Sequence, residues 1–149
     1  MDFELRRARP DDAPAVAEVF LAARPEAMPY LPELHTDAEI RIWIRDVVLT
    51  GYEVVVAEAG DRLAGFAALD ADMLAHLYVH PDLQRRGIGN ALLARAKELR
   101  PGGFRLWVFQ RNTGACSFYE RRGLRLVELT EGAGNEEREP DALYEWRPD

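Results

Sequence analysis

The residues best suited to chemistry are Gln84-Arg85-Arg86-Gly87-Ile88-Gly89-Asn90, which follow a strand-like run, Leu77-Tyr78-Val79, across the break His80-Pro81-Asp82. Beyond Gly87 the apolar residues Ile88, Leu92, Ala96 and Leu99 recur at helical spacing, so both glycines stand where a strand turns into a helix. The first turn of a helix has backbone N–H groups without intrahelical acceptors and the positive end of the helix dipole. Glycine at 87 and 89 lets a diphosphate approach the main chain, and Arg85 and Arg86 add positive charge beside it. The pattern departs from a dinucleotide-binding turn, whose third glycine would fall at Leu92. It also departs from a phosphate-binding P-loop, because no Gly-Lys-Ser/Thr follows and the only lysine, Lys97, lies in mid-helix.

These groups need a framework, and the hydrophobic pattern supplies one. Phe3 to Arg9 reads as a short strand, and Asp11 or Asp12 can cap a helix that turns Val16, Val19 and Phe20 inward. Arg24 to His35, with prolines at 25, 29 and 32, reads as a loop, after which Thr36-Asp37-Ala38-Glu39 forms a capping box for a helix burying Ile40, Trp43, Ile44 and Val47. Glu53 to Ala59 and Arg62 to Asp70 form a hairpin across Gly60-Asp61, and the unbroken run Val54-Val55-Val56-Ala57 suits a strand covered on both faces. Met73 to Val79 is a fourth strand and the glycine-led helix ends at Arg100-Pro101-Gly102-Gly103. Phe104 to Phe109 is a strand, Thr113 to Arg122 a helix stopped by Gly123, and Leu124 to Thr130 and Ala142 to Trp146 are the last two strands. The expected fold class is α/β, a mixed sheet of six to seven strands with helices on both faces.

A chain of 149 residues is one domain's worth, and neither an internal repeat nor a linker divides it, so 1–149 is read as a single domain. The formal charge of −7 argues against a general nucleic-acid or anionic-membrane surface and favours cationic partners. The charged stretch Asp2 to Pro14 lacks a signal-type apolar core and no run reaches membrane-spanning length, which gives a cytoplasmic expectation. The single cysteine, Cys116, excludes an internal disulfide and any multi-cysteine metal site, and no metal is expected.

Taken at full length, Gln84-Arg85-Arg86-Gly87-Ile88-Gly89 resembles the Gln/Arg-x-x-Gly-x-Gly/Ala acyl-CoA signature of the GNAT superfamily of N-acetyltransferases, with Leu77-Tyr78-Val79 as that family's central strand. A second block, Asn112-Thr113-Gly114-Ala115-Cys116-Ser117-Phe118-Tyr119-Glu120-Arg121-Arg122-Gly123-Leu124, is similar to the family's Asn-x-x-Ala-x-x-Phe-Tyr-x-x-x-Gly-Phe segment, with Leu124 in place of the usual Phe. The resemblance is weakest from Arg24 to Leu49 and after Thr130. It implies the acetyltransferase fold and transfer of an acetyl group from acetyl-CoA to an amine in a ternary complex. It further implies that the main chain of Leu77, Tyr78 and Val79 holds the pantetheine and acetyl groups. Gln84 and the amides from Arg85 through Arg86, Gly87, Ile88 and Gly89 to Asn90 would hold the pyrophosphate, Asn112 would bond the pantetheine arm, and Phe118 would line the channel. Tyr119 stands where many members carry the acid that protonates the leaving sulfur, and that role is favoured over a tyrosine that only packs its ring and satisfies its hydroxyl at the surface.

The amine must lose a proton before attack, and His76 on the central strand titrates near neutrality, so it can serve as base directly or through water; it can equally be a buried structural histidine. The region between the first two helices varies in the family and often shapes acceptor choice, which makes Tyr30, His35 and Trp43 pocket candidates. The acidic stretch from Glu131 to Asp141 is either a solvated hairpin loop or a cover over the acceptor cleft, where Glu136, Glu137 or Glu139 would attract a cationic amine. The expected acceptor is a primary amine on a small molecule, with a peptide or protein amine as the rival. A different class of reading is a sensor domain that binds acyl-CoA without turnover. Family members often pair through differing faces, so a homodimer is compatible with the resemblance.

Overall fold

In a computed structural model describing residues 2–148, the chain forms a seven-stranded mixed sheet in the order β1-β2-β3-β4-β5-β7-β6. The strands are β1 (Glu4–Arg7), β2 (Glu53–Ala59), β3 (Arg62–Asp70), β4 (Met73–Val79), β5 (Phe104–Phe109), β6 (Arg125–Leu129) and β7 (Asp141–Trp146). All neighbours are antiparallel except β4 and β5, which are parallel and pair only at Met73↔Arg105. Helices α1 (Ala13–Ala27) and α2 (Asp37–Trp43) cover one face, burying Val16, Val19, Phe20 and Ile44 against Val54, Val56 and Phe66. Helices α3 (Ile88–Leu99) and α4 (Thr113–Arg121) cover the other, where Ile88, Leu92 and Leu93 meet Val55, Ala57 and Leu106. The continuous apolar run in β2 is thereby explained, since Val54 and Val56 face one helical layer while Val55 and Ala57 face the other. No helix among the described residues is long and apolar enough to cross a membrane.

Four sequence expectations need correction. The first strand is shorter than Phe3–Arg9, because Ala8 makes one last bond to Val54 and the chain then turns at Pro10. Asp12 sits at the start of α1 without capping it; its carboxylate accepts from the Arg9 amide at 2.7 Å and from the Arg6 guanidinium at 2.8 and 2.9 Å. Pro25 does not end α1, which continues to Ala27; the proline gives up one backbone donor, and the Met28 amide still closes the helix on Arg24. The Thr36 capping box forms as read, but after Trp43 the helix widens into a π-turn, Ile44–Val48. The extra residue per turn moves the buried stripe on by one, so Val48 is buried and Val47 is 45% exposed.

The Arg6 bond holds the Asp12 carboxyl below the usual carboxylate range. A depressed folded pKa means stability that is complete above the unfolded value of about 3.9 and is lost as pH falls through the lower folded value. Asp12→Asn is therefore expected to destabilise the protein at pH 7 and to match the parent at the acid end, as read by urea unfolding across the pH range.

Candidate active site

The break in pairing between β4 and β5 positions the site. Alternation along β4 turns Leu77 and Val79 toward α3 and α4, and Tyr78 toward α1 and α2. A cavity of about 720 Å³ lies on the first side, lined by Leu77, Val79, Gly87, Gly89, Asn112 and Tyr119 among others. A second, of about 560 Å³, lies on the opposite side, and Tyr78 lines both.

The first cavity has the make-up of an anion cradle. Gly87 has φ of +82° and Arg85 of +65°, so the chain coils tightly before α3. The amides of Gly87, Ile88, Gly89 and Asn90 reach no backbone carbonyl among the described residues, and the next amide, Ala91, bonds Gly87 at 3.0 Å. Donors concentrated at a helix start suit a diphosphate, and the open space beside Gly87 admits one. Arg85, Arg121 and Arg122 line the same cavity; Arg122 lies 3.8 Å from the centre of the Phe118 ring and donates to Asn90 at 2.9 Å. Gln84 lines this cavity too, and its amide donates to the Val79 carbonyl at 3.3 Å, tying the cradle to the end of β4. That bond occupies a main-chain acceptor on Val79. Asn112 caps α4 by accepting from the Ala115 amide at 3.3 Å, leaving its NH₂ group for a ligand. Arg86 does not line the cavity.

Tyr119, one turn before the α4 stop at Gly123, is buried and has no hydrogen-bond partner for its hydroxyl among the described residues. Burial, then the neighbouring Tyr78 and Cys116, push its pKa up, so the hydroxyl keeps its proton throughout the physiological range. A protonated donor facing a cavity can meet charge that develops there.

On the opposite side, His76 is enclosed by the rings of Phe20, Trp43, Tyr52, Phe66 and Tyr78, with centroids 5.2–6.4 Å away. Burial, with Arg24 adding to it, lowers its pKa to about 4. Such a histidine is neutral at pH 7, and its conjugate acid is too strong for it to draw a proton from an ammonium group. His76→Gln is therefore expected to leave the acid limb of the kcat/KM–pH profile unmoved between about pH 5 and 8, as read from initial rates.

Of the acceptor candidates, His35, Trp43, Glu136 and Glu137 come together around this second cavity. Tyr30 does not; its ring lies under Arg111, 4.0 Å from the guanidinium carbon, because Glu139 draws Arg111 into a two-pronged bond at 2.7 and 2.8 Å. The 131–141 stretch departs from a free solvated loop. Asn135 bonds the Glu139 backbone twice and reaches Asp141, and Gly132 adopts φ of +89° against Glu139, where a side chain would collide. The loop spans the cleft on two contacts, a hydrogen bond between Glu136 and His35 at 3.0 Å and an ion pair of Glu137 with Arg24 at 2.7 Å.

Arg24, Trp107 and Phe109 were not read as site residues from the sequence, though a signal existed. Trp107 and Phe109 are out of phase with buried Leu106 and Val108 on β5, and Arg24 follows Phe20 by one helical turn. Arg24 lies 5.8 Å from the centre of the Phe20 ring, and its positive charge offsets part of the rise that burial gives the Tyr78 pKa.

Residues 50–125 match the family model described as an acetyltransferase (GNAT) domain. The peptidyl-lysine N-acetyltransferase YiaC of Escherichia coli is 30% identical over 125 residues, covering 83% of this chain and 84% of the relative. The L-amino acid N-acyltransferase MnaT of the same organism is 34% identical over 101 residues, 61% of this chain and 59% of that one. Among solved structures, the PaiA N-acetyltransferase of Thermoplasma acidophilum in complex with coenzyme A superposes with a TM-score of 0.76 at 21% identity, covering 99% of this chain and 100% of that one. Its likeness establishes the fold, and together with the family match it leads to one conclusion: the chain belongs to the GNAT family of N-acetyltransferases.

Proposed function

We propose that this acetyltransferase moves an acetyl group from acetyl-CoA to the primary amine of a small molecule by direct attack in a ternary complex. The observation that carries the reading is the meeting of two cavities of opposite character at Tyr78, one lined by helix-start amides and arginines, the other by aromatic rings and carboxylates. When bound, acetyl-CoA would supply an activated thioester carbonyl. The amides of Gly87 to Asn90 would hold its diphosphate, Asn112 its pantetheine arm, and the unpaired stretch of β4 would align its acyl end with the strand break. As the new C–N bond forms and the C–S bond breaks, Tyr119 would donate a hydrogen bond to the departing sulfur, which leaves as a thiolate and becomes a thiol by taking a proton from water. The proton lost by the amine would pass to water, since burial makes His76 a weak acceptor; His35 and Glu136 border the same cavity.

A peptide lysine is the second reading, and one feature favours it. A further cavity of about 360 Å³, lined by Met28, Pro29 and Leu34, adjoins the acceptor cavity through Phe20, Arg24 and Ile40 and could take residues flanking a lysine. The activity named for YiaC is of that class, and that named for MnaT is on free amino acids. Free-thiol release from acetyl-CoA, measured against monoamines, polyamines, amino acids and lysyl peptides, separates the readings. Amine-dependent release with a small molecule supports the proposal, release with peptides alone replaces it by the second reading, and binding without release contradicts both.

A further inference from the structure

Building on the acetyl-transfer reading, we propose that the acceptor amine is carried on an aromatic body, held among ring side chains contributed by α1, α2, β4 and β5. The cavity opposite the diphosphate cradle is walled by Phe20 and Trp43 from the helices, Tyr78 from β4, and Trp107 and Phe109 from β5. Its volume of about 560 Å³ lies within the usual range for sites that enclose a compact ligand.

The rings divide into two groups with different structural standing. Phe20 packs edge to face with both Trp43 and Tyr78, at centroid separations of 5.8 Å and 5.2 Å, so the three form a fixed wall. Trp107 has no ring neighbour among the described residues and is 47% exposed at the cavity edge, leaving its indole available to a ligand. A large exposed aromatic facing a fixed aromatic wall is suited to a flat apolar guest, because rings gain from offset or edge contacts beyond the area they bury. A linear alkylamine would leave those faces wet.

The polar groups agree with an amine at one end of that guest. Glu136 and Glu137 border the cavity, Glu137 is 11% exposed, and its charge is matched by Arg24. Glu136 is the more open of the two at 58%, shared with His35, and favours the approach of a cation before deprotonation. The wall carries no further cation, so a guest dominated by negative charge is disfavoured.

The test compares kcat/KM for phenethylamine and tryptamine with that for n-hexylamine and putrescine, in the parent and in Trp107→Ala. Because Trp107 is half exposed, its truncation is expected to leave the melting temperature nearly unchanged. The aromatic amines are expected to exceed the linear ones by about tenfold or more, mainly through KM, and Trp107→Ala is expected to remove most of that margin. Equal efficiencies, a margin untouched by Trp107→Ala, or a lysyl peptide outperforming both amine classes would overturn the inference while leaving acetyl transfer intact. If no amine turns over, the acetyl-transfer reading fails separately, and saturation-transfer NMR on the acetyl-CoA-loaded protein then decides. Contact with phenethylamine and none with n-hexylamine sustains the aromatic site, and any other pattern refutes it.

Discussion

Tyr119→Phe is expected to lower kcat by about 10²–10³-fold while the affinity for acetyl-CoA changes by less than about twofold. The ring of Tyr119 is part of the core beside Leu124 and Tyr144, and phenylalanine retains all of that packing. The hydroxyl bonds nothing among the described residues, so removing it leaves no protein donor or acceptor unpaired and costs little stability. What disappears, on the proposed mechanism, is a hydrogen-bond donor to the sulfur as it acquires charge. The raised pKa fixes how the donor works: a phenol less acidic than a thiol does not give up its proton early, and it stabilises through a hydrogen bond that strengthens as the C–S bond opens. Accordingly the loss should fall on kcat and kcat/KM alike, with no new ionisation below pH 9 or so. Rates against both substrates, with a thermal melt as control, check this. A variant retaining full kcat would return Tyr119 to a packing role.

The second large effect is expected at the cradle. Gly89→Asp should fold normally and lose affinity for acetyl-CoA by about 10²-fold or more. A Cβ at this position would meet the Phe118 ring at 3.6 Å and Val79 at 3.7 Å, which is ordinary contact. A carboxylate in the first turn of α3 is favoured by the helix dipole by roughly 0.3–1 kcal/mol, so the melting temperature should hold or rise. The same charge would compete for the amides of the helix start and repel a diphosphate. Two unit charges about 4 Å apart near a protein surface repel by about 4 kcal/mol before salt screening, and roughly 3 kcal/mol corresponds to the stated loss. Calorimetric titration with acetyl-CoA and a melting curve separate the two effects. Unchanged affinity in a folded variant would show that the diphosphate sits elsewhere.

How much of this was legible in the sequence depended on whether a residue's role is set by its neighbours in the chain. The seven strands follow from short β-branched and apolar runs bounded by turn residues, and the helix led by Gly87 from period-3.6 alternation. The glycine cradle was legible because its chemistry is backbone chemistry, confined to a few consecutive residues. Pro25 misled, since a proline near a helix end costs only one bond that the following turn can bypass, and Val47 misled because a π-turn cannot be seen in a pattern that assumes constant period. Tyr30 was drawn from the acceptor cavity by Arg111 and Glu139, partners 81 and 109 positions away. His76 has the right residue type in the right strand, but five rings converge on it from segments far apart in the chain, and burial lowers its pKa. The side-chain contacts that hold the 131–141 stretch over the cleft join residues about a hundred positions apart, and no local pattern encodes them.

The account turns on acyl transfer to an amine without a covalent acyl-enzyme, and one measurement addresses it most directly: mass spectrometry of the protein and of the small molecules after incubation with acetyl-CoA, with and without an accepted amine. The account predicts that the protein keeps its mass under both conditions and that free thiol and N-acetylated amine appear together, in equal amounts, only when the amine is present. An acetylated protein formed from acetyl-CoA alone, or thiol released without acetylated amine, would contradict it.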